Sequence, residues 1–331
     1  MAKRIIALVA IGLAASLVLS PAGAGPPGHT VRVGFLDITV PTFDPAANPA
    51  QREFVEGLRE LGYTLGREIV IEYKSARGDV RVLPQLAAEL VSSKPDLLVT
   101  QQGSPTLAAV KVTKTIPIVM VGVADVVDTG LVASLARPGG NVTGLGVNAA
   151  EIAAKRVQLL RDAVPRLSRV AVLWNASLPG MALSFQNIDK ASPQLGVTIQ
   201  SVRVSGSEEF DQAFAAIESG HPDGLVVLFG PLRGDDLPRI VEFVNQHKIP
   251  TIFEIGRGVQ GGGLMEFGAN SLHMFRRAAA YVDKIANGVR PADLPVEEPR
   301  EVELVINVKA AKELRLTLPP TLLFRADRII E

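Results

Sequence analysis

The chain has 331 residues, 47% of them apolar and 21% charged. At roughly 150 residues per domain that is room for two domains, and the composition excludes a disordered or collagen-like chain. Lys and Arg together number 34, as do Asp and Glu, so there is no basic footprint for nucleic acid.

Met1-Ala-Lys-Arg4 is a short basic start. Ile5 to Leu19 carries no charge, Pro21 breaks the run, and Ala22-Gly-Ala24 is a small-x-small cleavage pattern. This three-part layout predicts a secretory signal peptide over residues 1–24. The apolar run is shorter than the ~20 residues a spanning helix needs, although an uncleaved anchor is the rival reading. The sequence has no cysteine, which excludes disulfides, thiolate chemistry and a lipid-bearing cysteine tether. An exported, untethered, disulfide-free chain points to the bacterial periplasm.

After the spacer Gly25 to Gly28, Val31 to Leu36 reads as a buried strand. Phe54, Val55, Leu58 and Leu61 follow helical spacing, and Gly62 is placed to end that helix. Ile69 to Tyr73 is the next strand, and Leu83, Leu86, Leu90 and Val91 mark a helix closed before Pro95. Asp96 to Thr100, a helix from Pro105 and Ile116 to Gly122 continue the alternation. A helix is expected over Thr129 to Ala136, stopped by Arg137-Pro-Gly-Gly140, with Val142 to Val147 as another strand.

The second half repeats the plan. Ala153, Val157, Leu160 and Val164 share a helical face, and Arg169 to Trp174 is a strand. A helix near Met181 to Leu195, strand Val197 to Val204, a helix on Phe210, Ala213, Phe214 and Ile217, and strand Gly224 to Phe229 follow. Leu237, Ile240, Val241 and Val244 form another helical stripe. Pro250 to Ile255 and Gly263 to Phe267 read as strands close together. The tail holds a helix on Leu272, Phe275, Ala279 and Val282, the Pro-rich stretch Pro291 to Pro299, strand Glu301 to Ile306 and a short helix to Leu316.

Strands separated by single helices cannot pair as hairpins. They need right-handed crossovers and parallel sheets covered on both faces. Two such runs predict an α/β chain of two doubly wound, parallel-sheet (Rossmann-like) domains, with Arg137 to Asn141 as the natural first boundary. An eight-unit barrel is the rival, but two strands without a helix between them fit it poorly.

Catalytic signatures are missing: there is no H-E-x-x-H, G-x-S-x-G, S-x-x-K or Walker A run. His29, His221, His247 and His273 are scattered, so neither a metal site nor any other cofactor is expected. Gly256-Arg-Gly-Val-Gln-Gly261 spells G-x-G-x-x-G after a strand. A dinucleotide site needs a helix to start there, whereas strand-like Leu264-Met-Glu-Phe267 follows, so the run reads as a turn.

Doubly wound domains bind ligands beyond the carboxyl ends of their strands. The residues there include Asp37 and Thr39; Gln102, Gly103 and Ser104; Asp125; Trp174 and Asn175; Phe229; and Glu254. Ser104 suits a helix N-cap and Pro105 the first helical position, and such an open helix start also suits a carboxylate or phosphate. Trp174 is the only tryptophan, placed either at a cleft or in a core. Asp125 and Glu254 could hold a ligand ammonium, or form salt bridges and caps.

Several stretches resemble a known family. They are Thr115-Ile-Pro-Ile-Val119, Gly130-Leu-Val-Ala-Ser-Leu-Ala-Arg-Pro-Gly-Gly-Asn-Val-Thr-Gly144, Lys155-Arg-Val-Gln-Leu-Leu160 and Ser168-Arg-Val-Ala-Val-Leu-Trp-Asn175. Gly262-Gly-Leu-Met265, Arg276 to Ile285, Ala292 to Glu297, Glu303 to Asn307 and Pro319 to Glu331 complete the set. Together they resemble the ABC-transporter substrate-binding proteins, the family that includes tryptophan- and tyrosine-binding members. The likeness runs from about Val31 to the C-terminus, and Arg137 to Gly144 is its most specific piece.

The resemblance implies a periplasmic binding protein of type 1. Two lobes joined by three crossovers close on a small solute, with an amino acid or related carboxylate favoured. The receptor, a monomer, then delivers the solute to an ABC permease in the inner membrane. It implies a first lobe of residues 31–146 plus 266–298 and a second of 147–265 plus 299–331. In amino-acid-binding relatives the carboxylate meets the helix start after the third strand, here Gly103-Ser104. An acidic residue holds the ammonium, for which Asp125 and Glu254 are the candidates. Asp125-Val126 stands where Asp-Pro is frequent and Phe267-Gly268 where Tyr-Gly is, so ligand identity does not carry over. A sensor signalling to a membrane partner is a second reading, and an enzyme on the same fold a third. A lactose-repressor-type regulator is excluded, because the leader occupies the place of the DNA-binding head.

Overall fold

The computed structural model describes residues 26–228, 236–254, 258–298 and 302–331. The leader expected over residues 1–24 lies outside them. The first sheet is built from β1 (Val31–Asp37), β2 (Ile69–Ser75), β3 (Leu97–Gln101), β4 (Ile118–Ala124) and β5 (Val142–Val147), in the order β2-β1-β3-β4-β5. All its pairings are parallel. The crossovers carry α1 (Pro49–Glu60), α2 (Leu83–Ser92) and α3 (Gly103–Val112).

The sequence explains these elements locally. Pro49 opens α1, and the Asn48 side chain accepts from the Gln51 N–H at 3.1 Å as its cap. Phe54 and Leu58 then bury one stripe of the helix. Alternate residues of the strands face opposite cores. Val33, Phe35, Val99 and Val121 pack with α1, while Leu36, Leu98 and Met120 pack with α2 and α3. Burial on both faces is why these strands read as continuous apolar runs.

The second half comprises α4 (Ala149–Ala163), β6 (Arg169–Asn175), α5 (Pro179–Leu195), β7 (Thr198–Val204), α6 (Phe210–Gly220) and β8 (Gly224–Leu228). After these come α7 (Asp236–Gln246), β9 (Thr251–Phe253), β10 (Met265–Ala269), α8 (Ser271–Ala286), β11 (Val302–Asn307), α9 (Val308–Glu313), α10 (Pro320–Phe324) and β12 (Arg328–Ile330). The second sheet runs β12-β11-β10-β9-β8-β6-β7. Two open sheets are present, not a barrel.

The chain passes between the lobes three times. Val147 leads from β5 into α4, and Ala269 leads from β10 into α8. Helix α8 returns to the first lobe, where a methyl built on Gly57 of α1 would lie 2.7 Å from the Arg276 carbonyl oxygen. Only glycine lets the two helices approach so closely. The segment after α8 stays with the first sheet, since Glu297 bridges to Leu145 and Thr143 Oγ1 donates to the Leu294 carbonyl at 2.7 Å. The third passage lies between Glu298 and Val302.

Four sequence expectations change. The helix expected over Thr129 to Ala136 is a series of turns. Thr129, Gly130 and Leu131 N–H groups donate back to Asp125, Val127 and Val126, and Gly130 takes a positive φ of 72°. Its apolar residues, Leu131, Val132 and Leu135, still pack on the core. The loop 137–141 is not a lobe boundary, because β5 continues the first sheet beyond it. Residues 266–269 pair in the second sheet, so the chain leaves that lobe after Ala269 instead of before Glu266. Finally, β10 and β11 are antiparallel. The path between them runs through the other lobe, so it is not a βαβ crossover and carries no demand for parallel pairing. The Gly-rich run continues as turns from Gly258 to Gly262, with residues 256–257 outside the described set.

Candidate functional site

A cavity of about 160 Å³ lies between the lobes, beyond the carboxyl ends of β3, β4 and β9. The first lobe contributes Gln101 to Ser104 and Val121 to Ala124, the second Ile152, Arg156, Leu178, Met181 and Glu254, and α8 adds Met274 and Phe275. The wall is mostly apolar with a few polar groups, as small-molecule sites are. The lobes meet at its rim: a methyl built on Gly180, at the start of α5, would lie 3.7 Å from Ala124 Cβ.

One pole of the cavity is the start of α3. Gln102 is its N-cap, at φ 68° and ψ 176°. That conformation is strained for any residue but glycine, and such strain clusters at ligand clamps. Surrounding bonds hold it. The Gln102 N–H donates to the Val121 carbonyl at 2.9 Å, and Thr106 Oγ1 donates to the Gln102 carbonyl at 2.7 Å. The cap therefore lies two residues before Ser104, the cap expected from sequence, and the helix starts at Gly103. The first N–H groups of a helix have no partner within it, and Pro105 has no N–H at all. Gly103 and Ser104, which line the cavity, therefore carry N–H groups with no partner inside the helix, at the end where the helix dipole favours an anion.

The other pole is ionic. Arg156 projects from α4, and its side chain is only 2% exposed. Its Nε donates to the Phe267 carbonyl at 2.8 Å, and its Nη2 lies 3.4 Å from Glu254 Oε1. Its Nη1 is buried and has no hydrogen-bond partner. Burial pushes the guanidinium below its ordinary value, against the opposing pull of the Glu254 charge. The sequence reading did not single out Arg156. The signal was available, since it lies between Ala153 and Leu160 on the apolar stripe of α4, where a charge demands a reason.

Of the residues anticipated from sequence, Gln102, Gly103, Ser104 and Glu254 line this cavity together. Asp37 lies elsewhere, its Oδ1 accepting from the N–H groups of Thr39 at 2.7 Å and Val40 at 3.0 Å. It shapes the loop after β1, and Thr39 is part of that turn. Asp125 is buried at a positive φ of 47°, its N–H donating to the Val147 carbonyl at 3.0 Å. It stands beside the cavity wall, and with Asp128 it adds to the burial that raises the Glu298 carboxyl. Trp174 sits in the second core, stacked on Phe185 at 5.0 Å with Nε1 donating to Ser201 Oγ at 2.9 Å. Asn175 caps its own turn by accepting from the Ser177 N–H at 2.9 Å. It lines a second, polar crevice of about 280 Å³, where residues 78–81 face residues 205–208. Phe229 lies outside the described residues. Among the described residues no group of three His, Asp or Glu side chains is placed to hold a metal ion.

The sequence model of the family described as ABC transporter substrate binding protein matches residues 36–330. The chain belongs to this family. It is a family of substrate-binding proteins, not of enzymes. A tyrosine-binding protein of Clostridioides difficile is 28% identical over 274 residues, covering 82% of this chain and 77% of that protein. Among solved structures, a conserved domain protein from Vibrio cholerae is 27% identical at a TM-score of 0.83, covering 91% of this chain and 99% of the other. An ABC domain from Streptococcus pneumoniae in complex with L-Trp gives 0.83 at 23% identity, covering 91% of this chain and all (100%) of the other. The ligand-free, open structure of a Clostridium difficile substrate-binding protein with adhesive properties gives 0.66 at 24% identity, over 91% of this chain and 99% of that one. The shared architecture is the type 1 periplasmic binding protein fold.

Proposed function

We propose that this substrate-binding protein captures an amino acid in the cavity between its lobes and delivers it to an ABC permease in the inner membrane. The observation that carries this reading is a cavity walled by both lobes, with an anion-favouring helix start at one pole and a carboxylate at the other. An α-amino acid bears the matching pair of charges. Its carboxylate would meet the Gly103 and Ser104 N–H groups and its ammonium Glu254, while Leu107, Val121, Ile152, Met181 and Met274 would cover its side chain. Asp125, outside the cavity wall, would act in the fold at the first passage between lobes and not on the ligand.

The lobes would hinge about Val147 and Ala269, where the chain passes from one sheet to the other. A ligand shifts such an equilibrium only by binding the closed form more tightly, so contacts from both lobes are what closure requires. Delivery would follow recognition of the closed pair of lobes by the permease. We place the mature, monomeric receptor in the periplasm, after removal of the leader at about Ala24. The reading assigns it no catalytic step.

The test is a melting screen with the twenty common amino acids and related carboxylates, followed by denaturation of protein purified gently from its host and mass spectrometry of the released solute. The reading expects at least one amino acid to raise the melting temperature and the same class to be released. No shift from any of them, with a different class released, would overturn it.

A further inference from the structure

Gln102 lines the cavity at φ 68° and ψ 176°, a region occupied almost entirely by glycine. Something must hold a glutamine there. Two fully buried threonines lie behind the turn, Thr100 on β3 and Thr106 on α3. Their hydroxyls meet at 2.8 Å, and Thr106 Oγ1 donates to the Gln102 carbonyl at 2.7 Å. A hydroxyl has one proton. Thr106 uses its proton on the Gln102 carbonyl, so within the pair the Thr100 hydroxyl is the donor. The bonds run one way, from Thr100 through Thr106 to Gln102, and in a buried chain each strengthens the next. A threonine bonding back to the carbonyl four residues earlier is common in helices and needs no second hydroxyl. Here Thr100 supplies one from the face of β3 that Leu98 turns to the apolar core, where a polar group is costly unless bonded.

We infer that Thr106, oriented by Thr100, is a positioning residue for solute capture: its hydroxyl holds the Gln102 peptide, and through it the cavity-lining turn 101–104, in the conformation that binds. The inference rests on the amino-acid reading given above. Thr106 is 0% exposed, so it acts through Gln102 and not by touching the solute. Strain at Gln102 works against this conformation, and the bonds to its carbonyl and to its N–H work for it. Without the Thr106 hydroxyl the balance moves toward relaxed turns. Apparent affinity then falls with the fraction of molecules that keep the binding conformation. Glycine at position 102 removes the strain, so that fraction stays near one with or without the hydroxyl.

The experiment is calorimetric titration of the full mature chain with the tightest binder of the twenty common amino acids. The inference expects Thr106→Val, or Thr106→Ala should that variant not fold, to weaken binding about fivefold or more. Thr106→Ser keeps the hydroxyl and should bind within about twofold of wild type. The Gln102→Gly background separates positioning from packing. There the Thr106→Val change should weaken binding about twofold or less, measured against Gln102→Gly alone. An unchanged affinity in Thr106→Val overturns the inference and leaves the amino-acid reading standing. So does an equal loss in both backgrounds, which would make Thr106 a packing residue. No binding by any of the twenty overturns both.

Discussion

Replacing Arg156 by Met tests whether the ionic pole is held as the geometry states. Met fills much of the same volume, so the loss is electrostatic and not a cavity. Two partners are affected: the Phe267 carbonyl loses a 2.8 Å donor, and Glu254, 15% exposed, loses the guanidinium charge 3.4 Å away. Removing one member of a buried pair costs about 3–5 kcal/mol. The separation exceeds the roughly 2.7–2.9 Å of a tight charged bond, which puts the cost at the lower end, about 3 kcal/mol. The Glu254→Gln change leaves the more buried guanidinium without its counter-charge, and should cost about 3–5 kcal/mol. In the double variant neither charge remains. Its cost should therefore fall short of the sum of the singles by about 1–3 kcal/mol. Urea denaturation of the ligand-free chain measures all three, with an unchanged slope expected. A cost below about 1 kcal/mol for Arg156→Met, or strict additivity, would refute the coupling.

Three further outcomes follow from the same geometry. Gly180→Leu puts a bulky side chain where Cβ would already be 3.7 Å from Ala124. It should weaken amino-acid affinity about tenfold or more in calorimetry by opposing closure, and an unchanged affinity would contradict the rim contact. Trp174→Phe loses the Ser201 bond and alters the Phe185 stack, costing about 1–2 kcal/mol of stability in urea. Amino-acid affinity should stay within about twofold, and a large loss would return Trp174 to the site. Burial raises the Asp37 carboxyl above its ordinary 3.8, against the N–H bonds of Thr39 and Val40. The folded chain thus binds that proton more tightly than the unfolded one, and the residue's contribution falls as pH rises from about 3.8 through the folded value. The melting temperature of the wild type minus that of Asp37→Asn should fall from about pH 4 to about pH 7. A difference that rises with pH would contradict the sign.

Much of the fold was legible because its strands are buried on both faces and its helices on one. Val31 to Leu36, Asp96 to Thr100 and Arg169 to Trp174 are apolar runs between amphipathic stripes, a pattern that parallel α/β layers impose. What failed was local and short. Residues 129–136 carry helical-looking leucines, but Gly130 at positive φ and three turn bonds stop a helix from starting. The short β12 and α10 have too few residues for any period to show. Strand direction at β10 and β11 depends on a path through the other lobe, which no window of sequence contains.

The site divides the same way. Gln102, Gly103, Ser104 and Glu254 were selected by the rule that ligands lie beyond strand ends, and the structure brings them to one cavity. The same rule selected Asp37, Trp174 and Asn175, which the chain uses for a turn, a core stack and a second crevice. Strand ends are shared by capping and by binding, and residue type alone does not separate them. Arg156 was missed because it sits within helix α4, far along the chain from the Glu254 that it faces after β9.

The central claim, capture by closure of two lobes, is tested most directly by small-angle X-ray scattering of the mature chain with and without its tightest-binding amino acid. The account predicts that the radius of gyration falls on saturation and that the scattering curve approaches the one calculated from this structure, in which Ala124 meets Gly180. A radius that stays the same or grows on saturation would contradict it.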